Sequence, residues 1–139
     1  MNEFECIEEV LSPLFSRANG ALDLTDDGAV LNLGTDTHLV VTSDALVEGT
    51  HFIEDTPAGT IAQRALRVNL SDLAAMGATP IGYNLTLALG KNVNDKWITD
   101  FANGLAIDQE NYNINLFGGD TVRTPSNTLI SICAYGKVK

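Results

Sequence analysis

The chain has 139 residues, of which 45% are hydrophobic, so its length fits one domain with a real apolar core. Its 18 acidic and 8 basic residues give a formal net charge of −10 without any basic cluster, which argues against nucleic-acid binding. No run approaches the roughly 20 apolar residues of a membrane span. The acidic N-terminus lacks the basic region of a secretory signal, and Cys6 and Cys133 lie far apart. We therefore expect a cytoplasmic protein that acts away from membranes.

The first part of the chain predicts one helix and two strands. Apolar residues at helical spacing indicate the helix, and Pro13 in its interior weakens it. The two strands are short apolar runs on either side of a turn at residues 34–37. In chain order we predict helix 3–15, loop 17–27, strands 29–33 and 38–44, and a polar connection over 46–57.

The second part predicts two longer helices and three strands. Residues 58–76 form the first helix, which ends at Gly77, because glycine readily takes the left-handed conformation of a helix C-cap. Asp95 is predicted to cap the second helix, which runs to residue 112 with Trp97, Phe101 and Leu105 on one face. About five strands and three helices in this order indicate a mixed α/β (α+β) fold. The remaining strands are predicted at 81–89, 114–117 and 129–138.

Aspartates occupy four places where a solvated surface residue is not expected. Their side chains, with the neighbouring hydroxyl groups, offer only hard oxygen ligands, which suit Mg²⁺ better than zinc or copper. In chain order the four places are Asp26-Asp27-Gly28 before a strand, Thr42-Ser43-Asp44 at the end of an apolar run, Asn69-Leu70-Ser71-Asp72-Leu73 within a helix, and Gly118-Gly119-Asp120-Thr121 after a strand.

Asp72 carries the most information of the four, because helical spacing places it in an apolar stripe. A buried carboxylate costs several kcal/mol unless it is paired. A metal cation would pair it, and so would backbone amides or a nearby helix N-terminus. The predicted stripe consists of Ile61, Ala65, Val68, Asp72 and Met76.

Other candidate residues each have a functional and a structural interpretation. Asp44 and Asp120 end apolar runs, where ligand groups often lie, but both also fit turns. Gly118-Gly119 would let backbone N–H groups approach a phosphate, or would simply form a tight turn. Arg123 is a phosphate contact or a solvated side chain, and a lone histidine such as His51 is more often a surface or packing residue than a catalyst.

Motifs that are missing narrow the chemistry further. The chain has no G-x-x-x-x-G-K-[ST] phosphate loop, no G-x-G-x-x-G fingerprint, and none of the protein-kinase or serine-hydrolase signatures. If this chain binds a nucleotide, it does so through metal ions and carboxylates.

Four segments match motifs of one family over nearly the whole chain. Residues 42–52 resemble S-T-D-x-L-V-E-G-x-H-F, and 68–78 match V-N-L-S-D-L-A-A-M-G-A without a gap. Residues 118–121 match G-G-D-T, and 26–30 resemble the end of G-D-D-x-A-V, with Thr25 where the family usually has glycine. The chain therefore resembles the thiamine-monophosphate kinase family, within the superfamily of aminoimidazole-ribonucleotide synthetase.

The resemblance implies transfer of the γ-phosphoryl group of ATP to thiamine monophosphate, directly and in line, with several Mg²⁺ ions bridging the phosphates. It also implies residue roles. Gly119 and Asp120 would lie beside the nucleotide, and His51 at the thiamine monophosphate site. The implied metal ligands are Asp27, Thr42, Ser43, Asp44, Asp72 and Asp120.

The fold that the resemblance implies is a PurM-like N-terminal domain. This fold is a mixed β-sheet with helices packed on one face, and the sheet pairs into a barrel across a homodimer. The family's second domain is absent, so we expect the isolated chain, residues 1–139, to be inactive. Two alternatives stay open: a non-catalytic metal- or nucleotide-binding and dimerisation module, and another synthetase of the same superfamily. A selenophosphate synthetase is excluded, because Cys6 lies in a predicted helix and the first lysine is Lys91.

Overall fold

The computed structural model describes residues 2, 5–15 and 33–139. The predicted loop at 17–27, the strand at 29–33 apart from its last residue, and Asp26-Asp27-Gly28 lie outside these residues. The described chain forms a four-stranded mixed sheet that carries two long helices, as expected for a mixed α/β domain. None of its helices is long and apolar enough to cross a bilayer.

The N-terminal segment is helical, but it isn't the continuous α-helix that the spacing predicts. A π-helix over Cys6–Leu11 is followed by the short helix α1, Ser12–Phe15. Asn2 and Glu5 exchange backbone-to-side-chain hydrogen bonds of 2.9 Å, the reciprocal pattern of a capping box. Pro13 cannot donate to the carbonyl four residues earlier, so it interrupts an α-helical ladder and is tolerated only in the first turn of α1.

Four strands form one sheet in the order β1-β4-β2-β3. Strands β2 and β3 are parallel, and the other neighbouring pairs are antiparallel. The last strand has the predicted bounds, whereas the others extend beyond theirs, because pairing with a neighbour continues the extended backbone past the apolar run. The strands are β1 His38–Val47, β2 Thr79–Leu89, β3 Asn115–Arg123 and β4 Leu129–Val138.

Helix α2, Ala58–Ala75, ends as the sequence predicts. Gly77 follows in the left-handed conformation with φ of 67°. Its N–H donates to the carbonyl of Ala74 at 3.0 Å, and the N–H of Ala78 donates to that of Leu73 at 2.9 Å. These two bonds form a Schellman motif, which satisfies carbonyl groups left open at the helix end.

Helix α3, Asp95–Tyr112, is capped by Asn94 and not by Asp95 as predicted. The side chain of Asn94 accepts a hydrogen bond of 2.8 Å from the N–H of Trp97, which makes Asp95 the first helical residue. The predicted apolar face is confirmed. Phe101 and Leu105 are buried, and the ring of Trp97 stacks on Phe101 with centroids 5.0 Å apart.

Both long helices lie on the same face of the sheet. Thr42, Ala134 and Tyr83 are neighbours in one row across β1, β4 and β2, so their side chains point to one side. On that side Thr42 contacts Asn69 of α2, and Tyr83 donates a hydrogen bond of 3.0 Å to Gln109 of α3. The other side of the sheet, here called the open face, carries no described helix. The prediction of helices on one face is therefore confirmed.

Candidate functional site

Asn69 of α2 is hydrogen-bonded to Thr42 of β1, which joins two of the four segments that carry the predicted ligands. Its side chain is fully buried, and its Nδ2 donates to the carbonyl of Ala65 at 3.1 Å. Its Oδ1 accepts a hydrogen bond of 3.0 Å from Oγ1 of Thr42. Because the Thr42 hydroxyl donates its hydrogen to Asn69, its lone pairs stay available to another ligand.

Asp72 doesn't lie in the core, so that part of the prediction is wrong. Its side chain is exposed, as is that of Met76, one turn further along α2. The buried face is centred on Ala62, Leu66, Asn69 and Leu73. The predicted stripe that includes Ile61 and Asp72 runs along the edge of the buried face. Its side chains are buried at the start of the helix and exposed towards its end. Asp72 is therefore an accessible carboxylate and not a buried one.

Asp44 and Ser43 point to opposite sides of β1. Successive side chains alternate along a strand, so Asp44 shares the helix-bearing face with Thr42, whereas Ser43 points to the open face. Both side chains are exposed. The strand continues to Val47, so Asp44 lies inside β1 rather than at its end, and Leu46 and Val47 belong to the strand and not to the polar connection.

The Gly118-Gly119-Asp120-Thr121 segment lies inside β3, which corrects the prediction that it follows a strand end. Gly119 pairs with Leu85 of β2, and an added Cβ at Gly119 would lie 1.7 Å from the Leu85 carbonyl oxygen. Glycine is thus required for the parallel pairing itself. Asp120 pairs with exposed Thr86 on the open face, and its carboxylate is exposed.

Asp44 and Gly119 end one row across the whole sheet. The row runs from Asp44 through Ile132 and Leu85 to Gly119, with Asp120 as the next residue. Three inter-strand steps of about 4.8 Å separate its ends by about 14 Å. Asp44 and Asp120 also point to opposite faces, so these two side chains cannot share one ion within a single copy of the sheet.

The described residues do not gather the predicted ligands into one centre. Within residues 2, 5–15 and 33–139, no three His, Cys, Asp or Glu side chains are placed to hold a metal ion. Asp27 lies outside that part of the chain. The side-chain carboxylates of Asp44, Asp72 and Asp120 have neither a hydrogen-bond nor an ion-pair partner in the described structure. They are therefore open to a cation.

His51 lies in a tight turn directly after β1. The N–H groups of Thr50 and His51 donate to the carbonyl of Val47 at 3.1 and 2.8 Å, and that of Gly49 donates to Phe52 at 2.7 Å. Gly49 has φ of 87°, a conformation that glycine adopts without strain. Nδ1 of His51 accepts a hydrogen bond of 2.9 Å from the N–H of Val47.

Glu48 fixes this turn to the start of β4, a role that the sequence alone did not indicate. Its Oε2 accepts a hydrogen bond of 2.8 Å from the N–H of Thr128, and its own N–H donates to the Thr128 carbonyl at 3.0 Å. Asn127 donates to the Glu48 carbonyl at 3.1 Å. The guanidinium of Arg64 donates to the His51 carbonyl. The turn is thus held to both β4 and α2.

Arg67 and Asp108 form an ion pair that joins α2 to α3. The fully buried Asp108 carboxylate accepts from Nε and Nη2 of Arg67 at 2.7 and 2.9 Å. The hydrogen bonds and charge of Asp108 raise the pKa of Arg67 above its ordinary value. The helical spacing of Phe101, Leu105 and Asp108 is the sequence signal that would have located this carboxylate in the core.

The exposed Arg123 makes one hydrogen bond to the backbone, and its other N–H groups remain accessible. Its guanidinium donates a hydrogen bond of 3.3 Å to the carbonyl of Val93, in the connection between β2 and α3. Of these arginines, Arg67 has its charge paired with a carboxylate, whereas Arg64 and Arg123 donate to neutral backbone carbonyls.

Residues 25–138 match the family model described as AIR synthase related protein, N-terminal domain. The chain belongs to this family. Two curated relatives of this AIR synthase related domain are named thiamine-monophosphate kinase. The protein from Synechococcus elongatus is 44% identical over 132 residues, which are 94% of this chain and 40% of that protein. The protein from Caulobacter vibrioides is 41% identical over 134 residues, which are 96% of this chain and 38% of that protein.

Solved structures agree with this membership. The thiamine-monophosphate kinase of Stenotrophomonas maltophilia K279a matches with 38% identity and a TM-score of 0.83, over 99% of this chain and 43% of that one. AaThiL complexed with AMPPCP and TMP matches with 26% identity and a TM-score of 0.72, over 98% and 42%. The domain thus has the PurM-like fold that the motifs implied, and it spans about two fifths of the relatives it matches.

Proposed function

We propose that this domain is the Mg-ATP-binding part of an enzyme that phosphorylates thiamine monophosphate to thiamine diphosphate. The observation that carries the proposal is the identity of 44% and 41% with two proteins named thiamine-monophosphate kinase, over 94% and 96% of this chain. A structural neighbour complexed with AMPPCP, an ATP analogue, and TMP supports ATP as the donor. The family resemblance implies no phosphoenzyme, so in this proposal the γ-phosphoryl group passes directly and in line from ATP to thiamine monophosphate.

The accessible oxygen ligands fit Mg²⁺ chemically, because carboxylates and hydroxyls are the hard donors that this ion prefers. When bound, Mg²⁺ would neutralise phosphate charge as phosphoryl transfer proceeds. Since Asp44 and Asp120 lie about 14 Å apart by strand spacing, one ion cannot use both within a copy, which favours several ions. The proposed ligands are Asp27, Thr42, Ser43, Asp44, Asp72 and Asp120.

The described residues would contribute mainly positioning. Asn69 accepts the hydrogen of the Thr42 hydroxyl, so the hydroxyl lone pairs stay available to a ligand. Gly119 and Asp120 would lie beside the nucleotide, and His51, held by its turn, would contact thiamine monophosphate. Positioning of this kind accounts for a large part of catalysis when little covalent chemistry is left to the protein.

The open face of the sheet supports a homodimer. Leu39, Val41 and Val122 on this face are 43%, 52% and 47% exposed, and Cys133 and Tyr135 lie half-buried between them. Exposed apolar patches of this kind usually mark an interaction surface. We propose that two copies join through these faces into a barrel with two-fold symmetry.

We also propose that the protein works in the cytoplasm. Cys133 is a free thiol, a state that a reducing compartment maintains. Thiamine monophosphate and ATP, the proposed substrates, would meet the enzyme there.

A non-catalytic module remains the second candidate for the isolated chain. It is favoured because the described residues form no three-ligand metal cluster. Calorimetry with Mg²⁺ and AMPPCP, run beside a thiamine diphosphate assay, separates the two. Binding without turnover is expected for the 139-residue chain, and turnover for a protein that adds the second part found in the relatives.

A further inference from the structure

The open face of the sheet carries a polar band between two apolar ends. The strand register aligns its side chains into rows that cross β1, β4, β2 and β3 in turn. Two adjacent rows, here called the polar band, offer hydroxyl, amide, thiol and carboxylate groups. The first row is Ser43, Cys133, Asn84 and Gly118, and the second is Ala45, Ser131, Thr86 and Asp120. The first row shares one side of the sheet, because an added Cβ at Gly118 would lie 3.8 Å from Oδ1 of Asn84.

The rows on either side of the band are mainly apolar. The row after the one that ends at Asp120 is Val47, Leu129, Ala88 and Val122. In the other direction the next row is formed mainly by Val41 of β1 and Tyr135 of β4. Along the strands the face therefore reads apolar, polar, polar, apolar, and this order is the same from both ends.

Most polar groups of the band have no hydrogen-bond partner within one copy. Four of its side chains make no hydrogen bond to another described residue: Ser43, Asn84, Thr86 and Ser131. The first three are exposed, and Ser131 is half-buried. Burying a hydroxyl or an amide without a hydrogen bond is destabilising, and burying the unpaired carboxylate of Asp120 is more so. A surface that covers the band must therefore bring polar groups or water to the same place.

The face fits a second copy of itself. Because the order of the rows is symmetric, polar rows meet polar rows whether a two-fold axis runs along the strands or across them. The four described strands of each copy would supply eight strands, and the interior of an eight-stranded barrel is just wide enough for side chains to fill. The small side chains of the band leave space there. Water enters such a space when several polar groups line it.

We propose that two copies pair through their open faces around an enclosed layer of water, which the polar band binds and the apolar rows close at both ends. This inference rests on the homodimer in the proposed function. The water supplies the hydrogen bonds that the band lacks within one copy. The band also discriminates against a wholly apolar surface, because such a partner would leave its hydrogen-bonding groups buried and unpaired.

Oxygen-17 magnetic relaxation dispersion counts the water molecules that stay in a protein long enough to tumble with it. At one buried water per about 27 residues, a chain of 139 residues holds roughly five. The number per chain should be about twofold higher in the dimeric parent than in Val41→Lys, in which a charge on an apolar row separates the copies. Equal numbers in these two proteins, with the parent a dimer by light scattering, would overturn the water layer.

Asn84→Leu tests the band itself, because it replaces an amide in the first row by an apolar side chain of similar shape. The number of long-lived waters per chain should fall towards that of the monomer while the dimer persists. The matched control is Asn103→Leu, at an exposed position on α3, which should change neither quantity. A variant Asn84→Leu that keeps the full number of waters would overturn the role of the band. A monomeric parent would contradict the proposed dimer and the water layer with it, whereas a dimer without the additional waters contradicts only the layer.

Discussion

Oγ1 of Thr42 donates a hydrogen bond of 3.0 Å to Oδ1 of Asn69, and this bond joins two of the four sequence segments that carry the predicted ligands. The bond fixes β1 against α2. Asp44 lies two residues further along β1, and Asp72 lies one turn further along α2. Asn69 is buried and also bonded to Ala65, so it acts as a support that orients Thr42.

Thr42→Val should destabilise the fold, because it leaves Oδ1 of Asn69 buried without a donor. A buried unsatisfied acceptor costs about 1–3 kcal/mol in the free energy of unfolding, measurable by urea titration. The matched control is Thr99→Val, whose hydroxyl bonds the Asp95 carbonyl on the exposed side of α3, and which should change stability little. Equal decreases in the free energy of unfolding for the two variants would show that the Thr42–Asn69 hydrogen bond stabilises the fold no more than the exposed one.

Local patterns predicted the elements well where pairing and capping follow from neighbouring residues. The bounds of β4 are as predicted, and α2 ends just before Gly77, which takes the left-handed conformation expected after a helix. Asn94 displaced Asp95 as the N-cap because both residue types cap well and only the backbone geometry decides between them. Strand β3 extends beyond the predicted apolar segment because it continues to pair with β2. This pairing is possible because Gly119 has no Cβ.

Mg²⁺ should raise the melting temperature of the chain, because Asp44, Asp72 and Asp120 have no cationic partner in the described structure. A ligand at a hundredfold excess over its Kd stabilises by about 2.7 kcal/mol. Asp72→Asn should reduce this response, whereas Asp55→Asn, an exposed carboxylate outside the motifs, should leave it intact. Identical melting curves of the parent with and without Mg²⁺ would contradict the metal assignment.

A charge on the open face should dissociate the proposed dimer. Val41→Lys would bury an ammonium group in the interface, which is costly without a partner. Light scattering at tens of micromolar should report a dimer for the parent and a monomer for this variant. Ile107→Lys is the control, because Ile107 is equally exposed, at 54%, but lies on α3. A monomeric parent would remove the dimer proposal.

Stability should fall at alkaline pH through Tyr83. Burial, helped by the charge of Asp108, raises the pKa of Tyr83 above its ordinary 10.0. Above pH 10 the unfolded chain releases the phenolic proton while the folded chain keeps it, so the free energy of unfolding falls by up to about 1.4 kcal/mol per pH unit. Tyr83→Phe should flatten this slope in urea titrations. A slope unchanged in Tyr83→Phe would show that Tyr83 is not the responsible group.

The assembly of the site is the part that the sequence could not supply. The motifs located each candidate ligand, but only the strand order placed Asp44 and Asp120 on opposite edges and faces of the sheet. Strand order depends on long-range pairing, which no local pattern encodes. The role of Asn69 was hidden for a similar reason, since its partner Thr42 lies 27 residues earlier.

The most direct test of the proposed phosphoryl transfer is chromatographic measurement of thiamine diphosphate formed from thiamine monophosphate, ATP and Mg²⁺. The protein that joins this domain to the second part found in its relatives should form the product, and Asp44→Asn or Asp120→Asn should abolish it with the fold retained. The isolated 139-residue chain should form almost none, because small misplacements of reacting groups cost about 100-fold in rate. Robust formation by the isolated chain, or full activity of both variants, would contradict the account.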